Sequence, residues 1–391
     1  MKKAISVMLA VLMVITLFAC SGKGPATASP SAEGSATPSA TPSDSASPST
    51  DADISASENA VGFFKDGVDP ASRKTYNVVW AYPRPMALMQ NITDVLKELS
   101  TKLNYSVTDY CANNDVDQYV QNIQLFADQG ADGYLCVIDP SASDRIKEVL
   151  DETGLPYIGV LNSVRDSSGS EIVPCVGIDG KAAGAKITQW LYDNYKTYFG
   201  DIDPAQIGFI DIDLSTNKDF HDRYEGAMEK FKELVPNSTH IYSADGVTGT
   251  MDADTGYNIT APIFTAHADV KYWFVASCLE MYAQGAARAA EGLKIDKNVM
   301  ITTVGSDVLS AEWDAGYSGC WVSCLALSDY QYTIPAICGL VALMDGKATP
   351  DSLWSGKRAS TDQFTFYNIS NEMVTKDTYK AFFDSVKSSV G

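Results

Sequence analysis

Gly130-Ala-Asp-Gly-Tyr-Leu-Cys-Val-Ile-Asp-Pro-Ser-Ala-Ser-Asp144 is the stretch on which the fold turns. Its apolar run, Gly133 to Ile138, is too short for a helix and reads as a buried strand closed by Asp139-Pro140. On either side the period changes. Residues 115–129 place Val116, Tyr119, Val120, Ile123 and Phe126 at helical spacing, and residues 141–153 form a helix that stops at Gly154. A short buried strand between two helices is the repeating unit of a parallel sheet.

The unit recurs in both directions. Upstream, Asn77–Ala81 is a strand, and residues 86–103 carry Met86, Met89, Ile92, Val95, Leu96 and Leu99 on one helical face. Tyr105–Tyr110 and Tyr157–Leu161 are further strands. A second run starts with a helix at 179–198. It continues with strands at Gln206–Asp211, Thr239–Tyr242, Tyr272–Ser277 and Val299–Val304, separated by helices at 218–234, 255–266 and 281–291. Two such runs predict an α/β protein of two doubly wound parallel-sheet lobes. Ligands of open parallel sheets bind outside the carboxyl ends of the strands, so the residues just after each strand are the candidates.

Composition narrows the function. Of 391 residues, 29 are Lys or Arg and 49 are Asp or Glu, a net charge of −20 that repels phosphate backbones and argues against nucleic acid. A mean hydropathy near zero excludes a multi-span membrane protein. None of the three histidines, His221, His240 and His267, stands at metal-ligand spacing from another, so no metal is expected.

The beginning of the chain reads separately. Lys2 and Lys3 precede an apolar run, Ala4 to Ala19, that suits a signal sequence and is too short for a stable span. Leu17-Phe18-Ala19-Cys20 resembles the bacterial lipobox. The expectation is a signal peptide over 1–19, acylation of Cys20, and a Ser/Thr/Pro/Ala-rich tether to residue 58 that buries too little to order itself. Setting Cys20 aside leaves seven cysteines, an odd number that argues against a disulfide framework. Cys320 and Cys324 lie four apart on an expected strand, about 13 Å, too far to bridge.

Four segments, in order, carry a resemblance. The opening stretch resembles the "GxDgxxxxPxdsd" segment of sugar-binding proteins of ABC transporters, in the ribose/galactose class of the periplasmic-binding-protein type I superfamily. Val176-Gly-Ile-Asp-Gly-Lys-Ala-Ala-Gly184 resembles that family's crossover between lobes. Asp222-Arg-Tyr-Glu-Gly-Ala227 resembles "xRxxGf", and Val304-Gly-Ser-Asp307 resembles "VGfD". The resemblance implies a cleft between an N-terminal lobe (75–177 and 325–352) and a C-terminal lobe (178–324 and 353–391). It also implies a site. Arg223 and Asp307 would bind hydroxyls, Asn162 would stand for the aspartate after the fourth strand, and Arg84 would stand near the loop asparagine. Met86 would occupy the place of a stacking ring, with Tyr82 or Trp80 supplying an aromatic face. Two departures stand out: Glu280 replaces the acid of an Asn-Asp pair whose asparagine is lost, and Cys324 aligns near the hinge glutamine. They point away from ribose or galactose, toward another sugar or polar metabolite.

The implied function is an extracytoplasmic, lipid-anchored, monomeric solute-binding protein that delivers its ligand to an ABC permease and needs no cofactor. A second reading keeps the fold and has the protein present a nucleoside or signal molecule to a sensor kinase. An exported α/β enzyme is the third, and the chain carries no Gly-x-Ser-x-Gly elbow or phosphate-cradling glycine loop to support it.

Overall fold

The computed structural model describes residues 74–388. Signal, Cys20 and tether lie outside the described residues. Five parallel strands open the chain: β1 (Tyr76–Tyr82), β2 (Tyr105–Cys111), β3 (Gly133–Cys136), β4 (Tyr157–Leu161) and β5 (Cys175–Gly177). Helices α1 (Ala87–Leu103), α2 (Val116–Asp128) and α3 (Ser143–Thr153) connect the first four. Helix α4 (Gly180–Phe199) crosses to a second sheet of β6 (Ile207–Asp213), β7 (Ile241–Asp245), β8 (Tyr272–Ser277), β9 (Val299–Val304) and β10 (Trp321–Ala326). Helices α5 (Lys218–Leu234), α6 (Ala253–Ala266), α7 (Glu280–Gly292) and α8 (Asp307–Asp314) link these strands. The chain then returns through α9 (Asp329–Met344), adds β11 (Phe366–Asn368) and β12 (Glu372–Thr375), and ends in α10 (Tyr379–Ser388).

The first sheet runs β11-β5-β4-β3-β1-β2 and the second β12-β10-β9-β8-β6-β7. All pairings are parallel except β10 with β12. The two-lobe, doubly wound fold is as the alternation predicts. The lobe boundaries near the end of the chain are not. β11 pairs with β5, so residues 366–368 belong to the first sheet, and only β12 rejoins the second. Leu325 and Ala326 close β10 and belong to the second sheet. Three residues of strand have no readable alternation, and the expected break at 352 missed them.

Close helix packing fixes one side of the future site. A Cβ on Gly184 of α4 would lie 1.8 Å from the Arg223 carbonyl oxygen of α5, and one on Gly226 would lie 2.0 Å from the Lys181 carbonyl oxygen. The two helices therefore touch backbone to backbone, and only glycine fits at the crossing. Beneath them Phe231 stacks on Phe209 of β6 at 4.2 Å. Seven cysteines, all free, are described; six are buried and Cys111 is partly so. Cys320 and Cys324 do not pair. Among the described residues, no helix is long and apolar enough to cross a membrane.

Candidate functional site

The carboxyl ends of both sheets open into one cleft of about 690 Å3 lined from both lobes. Its floor in the second lobe comes from α5. Asn217 caps that helix by accepting from the N–H groups of Asp219 and Phe220, which sets the first turn against the cleft. One turn later Arg223 donates through Nη1 to the carbonyl of Cys278 at 2.8 Å, and its guanidinium sits 4.7 Å from the centre of the Phe220 ring. Its Nε is buried with no protein partner. Asp219, four residues before Arg223 on the same face, has an equally orphaned Oδ2. Burial pushes the Asp219 carboxyl up to about 6 against the pull of Arg223. A buried donor and a buried acceptor, side by side and unspent, are what a hydroxyl-bearing ligand satisfies.

Asp307 and Glu280 divide their roles differently from the expectation. Glu280, the first residue of α7, is buried and accepts from the N–H groups of Asp307 at 3.2 Å, Val308 at 2.9 Å and Leu309 at 3.3 Å. It is the cap of α8, because Ser306 at that helix's N-cap makes no side-chain cap bond. Glu280 lines the cleft, as the resemblance implies, but both of its oxygens also serve the helix, so it holds α8 in place at the cleft wall. Gly305 before it has φ +107, and a Cβ there would lie 2.9 Å from Glu280 Cγ, so the backbone must be glycine for the cap to form. Asp307 is left with a carboxylate that bonds no described residue, and burial raises its pKa.

From the first lobe, Leu161 at the end of β4 takes φ 77, and Asn162 after it donates through Nδ2 to the Ile138 carbonyl at 3.0 Å. Its Oδ1 remains for a ligand. Arg84 lines the cleft as expected, but its charge is spent on Asp139 at 2.5 Å. Burial alone would raise the Asp139 pKa; the Ser141 hydroxyl and N–H, with Arg84, outweigh it and hold the carboxyl below its ordinary value.

Met86 also lines the cleft. Tyr82 and Cys324 do not. Val78, Trp80 and Tyr82 share the face of β1 that packs beneath α1, so the Tyr82 ring lies 5.5 Å from Trp80 in the core. Cys324 is wholly buried in the second lobe. His221 lies off the cleft lining and pairs with Asp213 at 2.7 Å. Sequence reasoning missed Asp219, Phe220 and Tyr332. The first two were findable, since positions three and four before Arg223 share its helical face. Among the described residues no cluster of His, Cys, Asp or Glu could hold a metal ion.

The buried acids have a measurable consequence. Burial, with repulsion from Asp307, raises Glu280 to about 8 and Asp329 to about 7, and burial raises Asp219 to about 6. A carboxyl whose folded pKa exceeds its unfolded value binds more protons when folded, so stability falls as pH climbs between the two values. The ligand-free protein should therefore melt higher at pH 5.5 than at pH 8 by differential scanning calorimetry. Glu280→Gln, which cannot ionise, should narrow that gap. A higher melting temperature at pH 8, or an unchanged gap in the variant, would refute the assignment.

Comparisons with known proteins show the family and the fold. The sequence profile of the family described as "Periplasmic binding protein domain" matches residues 83–331. A curated relative, the ABC transporter L-arabinose-binding periplasmic protein of Azospirillum brasilense, is 26% identical over 277 residues, covering 68% of this chain and 80% of that protein. Two solved structures share the fold. An ABC transporter solute-binding protein of Actinobacillus succinogenes with bound D-allose superposes with TM-score 0.62 at 15% identity, over 79% of this chain and 100% of that one. The arabinose-binding protein AraP of Geobacillus stearothermophilus gives 0.61 at 17% identity, over 80% and 100%.

Proposed function

We propose a function for a chain that belongs to the periplasmic binding protein domain family: it captures a sugar between its lobes and delivers it to an ABC importer. Membership makes it a solute-binding protein and not an enzyme. The observation that carries the sugar reading is the pair of buried, unspent polar atoms, Arg223 Nε and Asp219 Oδ2, with the Asp307 carboxylate lining the same cleft. Sugar hydroxyls donate and accept at once, so one ring can satisfy acids and a guanidinium together. The arabinose and allose named for its relatives favour the same class.

Three chain crossings, near 177–180, 326–329 and 368–372, join the lobes. A ligand that touches both lobes favours their closed arrangement by its differential affinity, and closure is then the state a permease can distinguish. The leader supports a tethered location: acylation at Cys20 would hold the lobes at the extracytoplasmic membrane face through the segment 20–58.

The test has two arms. Calorimetric titration with L-arabinose, D-allose, D-galactose, D-ribose and myo-inositol should give at least one dissociation constant in the micromolar range or tighter, with a matching rise in melting temperature. Silence across the panel would overturn the sugar reading. Metabolic labelling of producing cells with a fatty-acid probe should mark the protein, and Cys20→Ser should abolish the label; a labelled variant would overturn the anchor.

A further inference from the structure

The cleft is polar toward the hinge and apolar toward its mouth. The chain crossings leave from β5, β10 and β11, which stand at or next to one edge of each sheet. Over the strands nearer that edge lie Asn162 after β4 and Asp307 after β9; Asp139, after β3, stands one strand further out and is tied to Arg84. Arg223, although on α5, reaches inward to the carbonyl of Cys278 after β8. The far ends of the sheets offer different chemistry. Met86 follows β1, Met251 follows β7, and Met281 on the first turn of α7 lies between. All three are partly buried, rest on the lobe cores and line the cleft. Of the polar side chains at this end, Arg84 is paired with Asp139, the Asn217 Oδ1 caps α5 and the Thr250 hydroxyl is committed to Asp252, which leaves Asn114.

Thioethers offer a pliable, polarisable apolar surface and almost no hydrogen bonding. A sugar hydroxyl pressed against it would lose water and gain nothing. A free monosaccharide carries hydroxyls around its whole rim, and those turned toward the methionines would go unpaired. We infer that the ligand is a glycoside, with its sugar ring at the hinge-side polar groups and an apolar aglycone against Met86, Met251 and Met281. The inference rests on the sugar reading above and sharpens it.

Matched pairs test it. The full chain is titrated with L-arabinose, D-galactose and D-glucose, and with the p-nitrophenyl glycosides of each in both anomers. At least one aryl glycoside should bind about tenfold or more tightly than its parent sugar, the gain expected for burying an apolar group of that size. In Met251→Gln and Met281→Gln the ratio of the two dissociation constants should fall to within about twofold of one. Parent sugars that bind as tightly as every glycoside would overturn the aglycone while sparing the sugar reading, as would a gain that survives both substitutions. Binding by neither group would overturn both.

Discussion

Arg223→Ala raises the dissociation constant of whichever sugar the parent protein binds by about 100-fold or more, read by calorimetric titration. The guanidinium has one fixed bond, Nη1 to the Cys278 carbonyl, and a stacking contact with Phe220, which together orient the fork. Nε is buried and unspent. A hydrogen bond from a charged donor is worth about 1.5–3 kcal/mol, and 1.4 kcal/mol is tenfold, so two lost ligand bonds reach that scale. The loss is compounded at Asp219. Arg223, with the Ser163 N–H and Lys218, opposes the rise of the Asp219 pKa, and without it that carboxyl shifts toward its protonated form, which weakens it as an acceptor. Arg223→Lys should recover little, because a point charge on a flexible stem cannot reproduce the planar fork held against Phe220. The ligand-free variant should remain folded, since the protein loses one hydrogen bond, to the Cys278 carbonyl, the contact with Phe220 and the charge beside Asp219, whose carboxyl can take up a proton. Binding within threefold of the parent would show that the cleft is not the sugar site.

How far the sequence reveals this site depends on which residues report through a pattern. The strands around the opening stretch were legible because buried parallel strands read as short apolar runs between helical periods; Tyr157–Leu161 and Tyr272–Ser277 fall where the reading put them. Helix α9 was not, because Tyr332 to Ala342 are all buried and a helix apolar on every side has no period to detect. Tyr332, which reaches the cleft, was lost with it. Arg223, Asp307 and Asn162 were placed on the cleft by position after a strand or on a matching motif. Glu280 was placed there too, and sequence could not show that its oxygens are taken by three backbone N–H groups of α8. Tyr82 is expected in the loop after a strand ending at Ala81, but β1 runs through Tyr82 itself, and strand alternation turns its side chain into the core with Trp80.

Gly184→Ala should cost about 3 kcal/mol or more of stability and weaken sugar binding with it. The added Cβ would stand 1.8 Å from the carbonyl oxygen of Arg223 and 2.7 Å from its carbonyl carbon, both backbone atoms of a helix interior that no rotamer change can move aside. Relief requires α4 and α5 to separate. That in turn loosens Ala183, Ile187 and Leu191 of α4 from Ala227, Met228 and Phe231 of α5 in the shared core. Overpacking of a core commonly costs about 1–3 kcal/mol, and a clash with rigid backbone lies at or above the upper end. Gly356→Ala is the matched control: no atom lies within 4 Å of its Cβ position, so its melting temperature should stay within a degree or two of the parent. The two glycines of the crossing belong to the two motif segments that flank it, Gly184 ending one and Gly226 standing three residues after Arg223 in the other. The backbone contact at Gly184 is made by Arg223 itself, so a displaced α5 carries the guanidinium away from Cys278 and out of the cleft. A variant that melts with the parent would show that the helices can part without cost. One that melts lower yet binds sugar with parental affinity would show that Arg223 is positioned by its own side-chain contacts and not by the crossing.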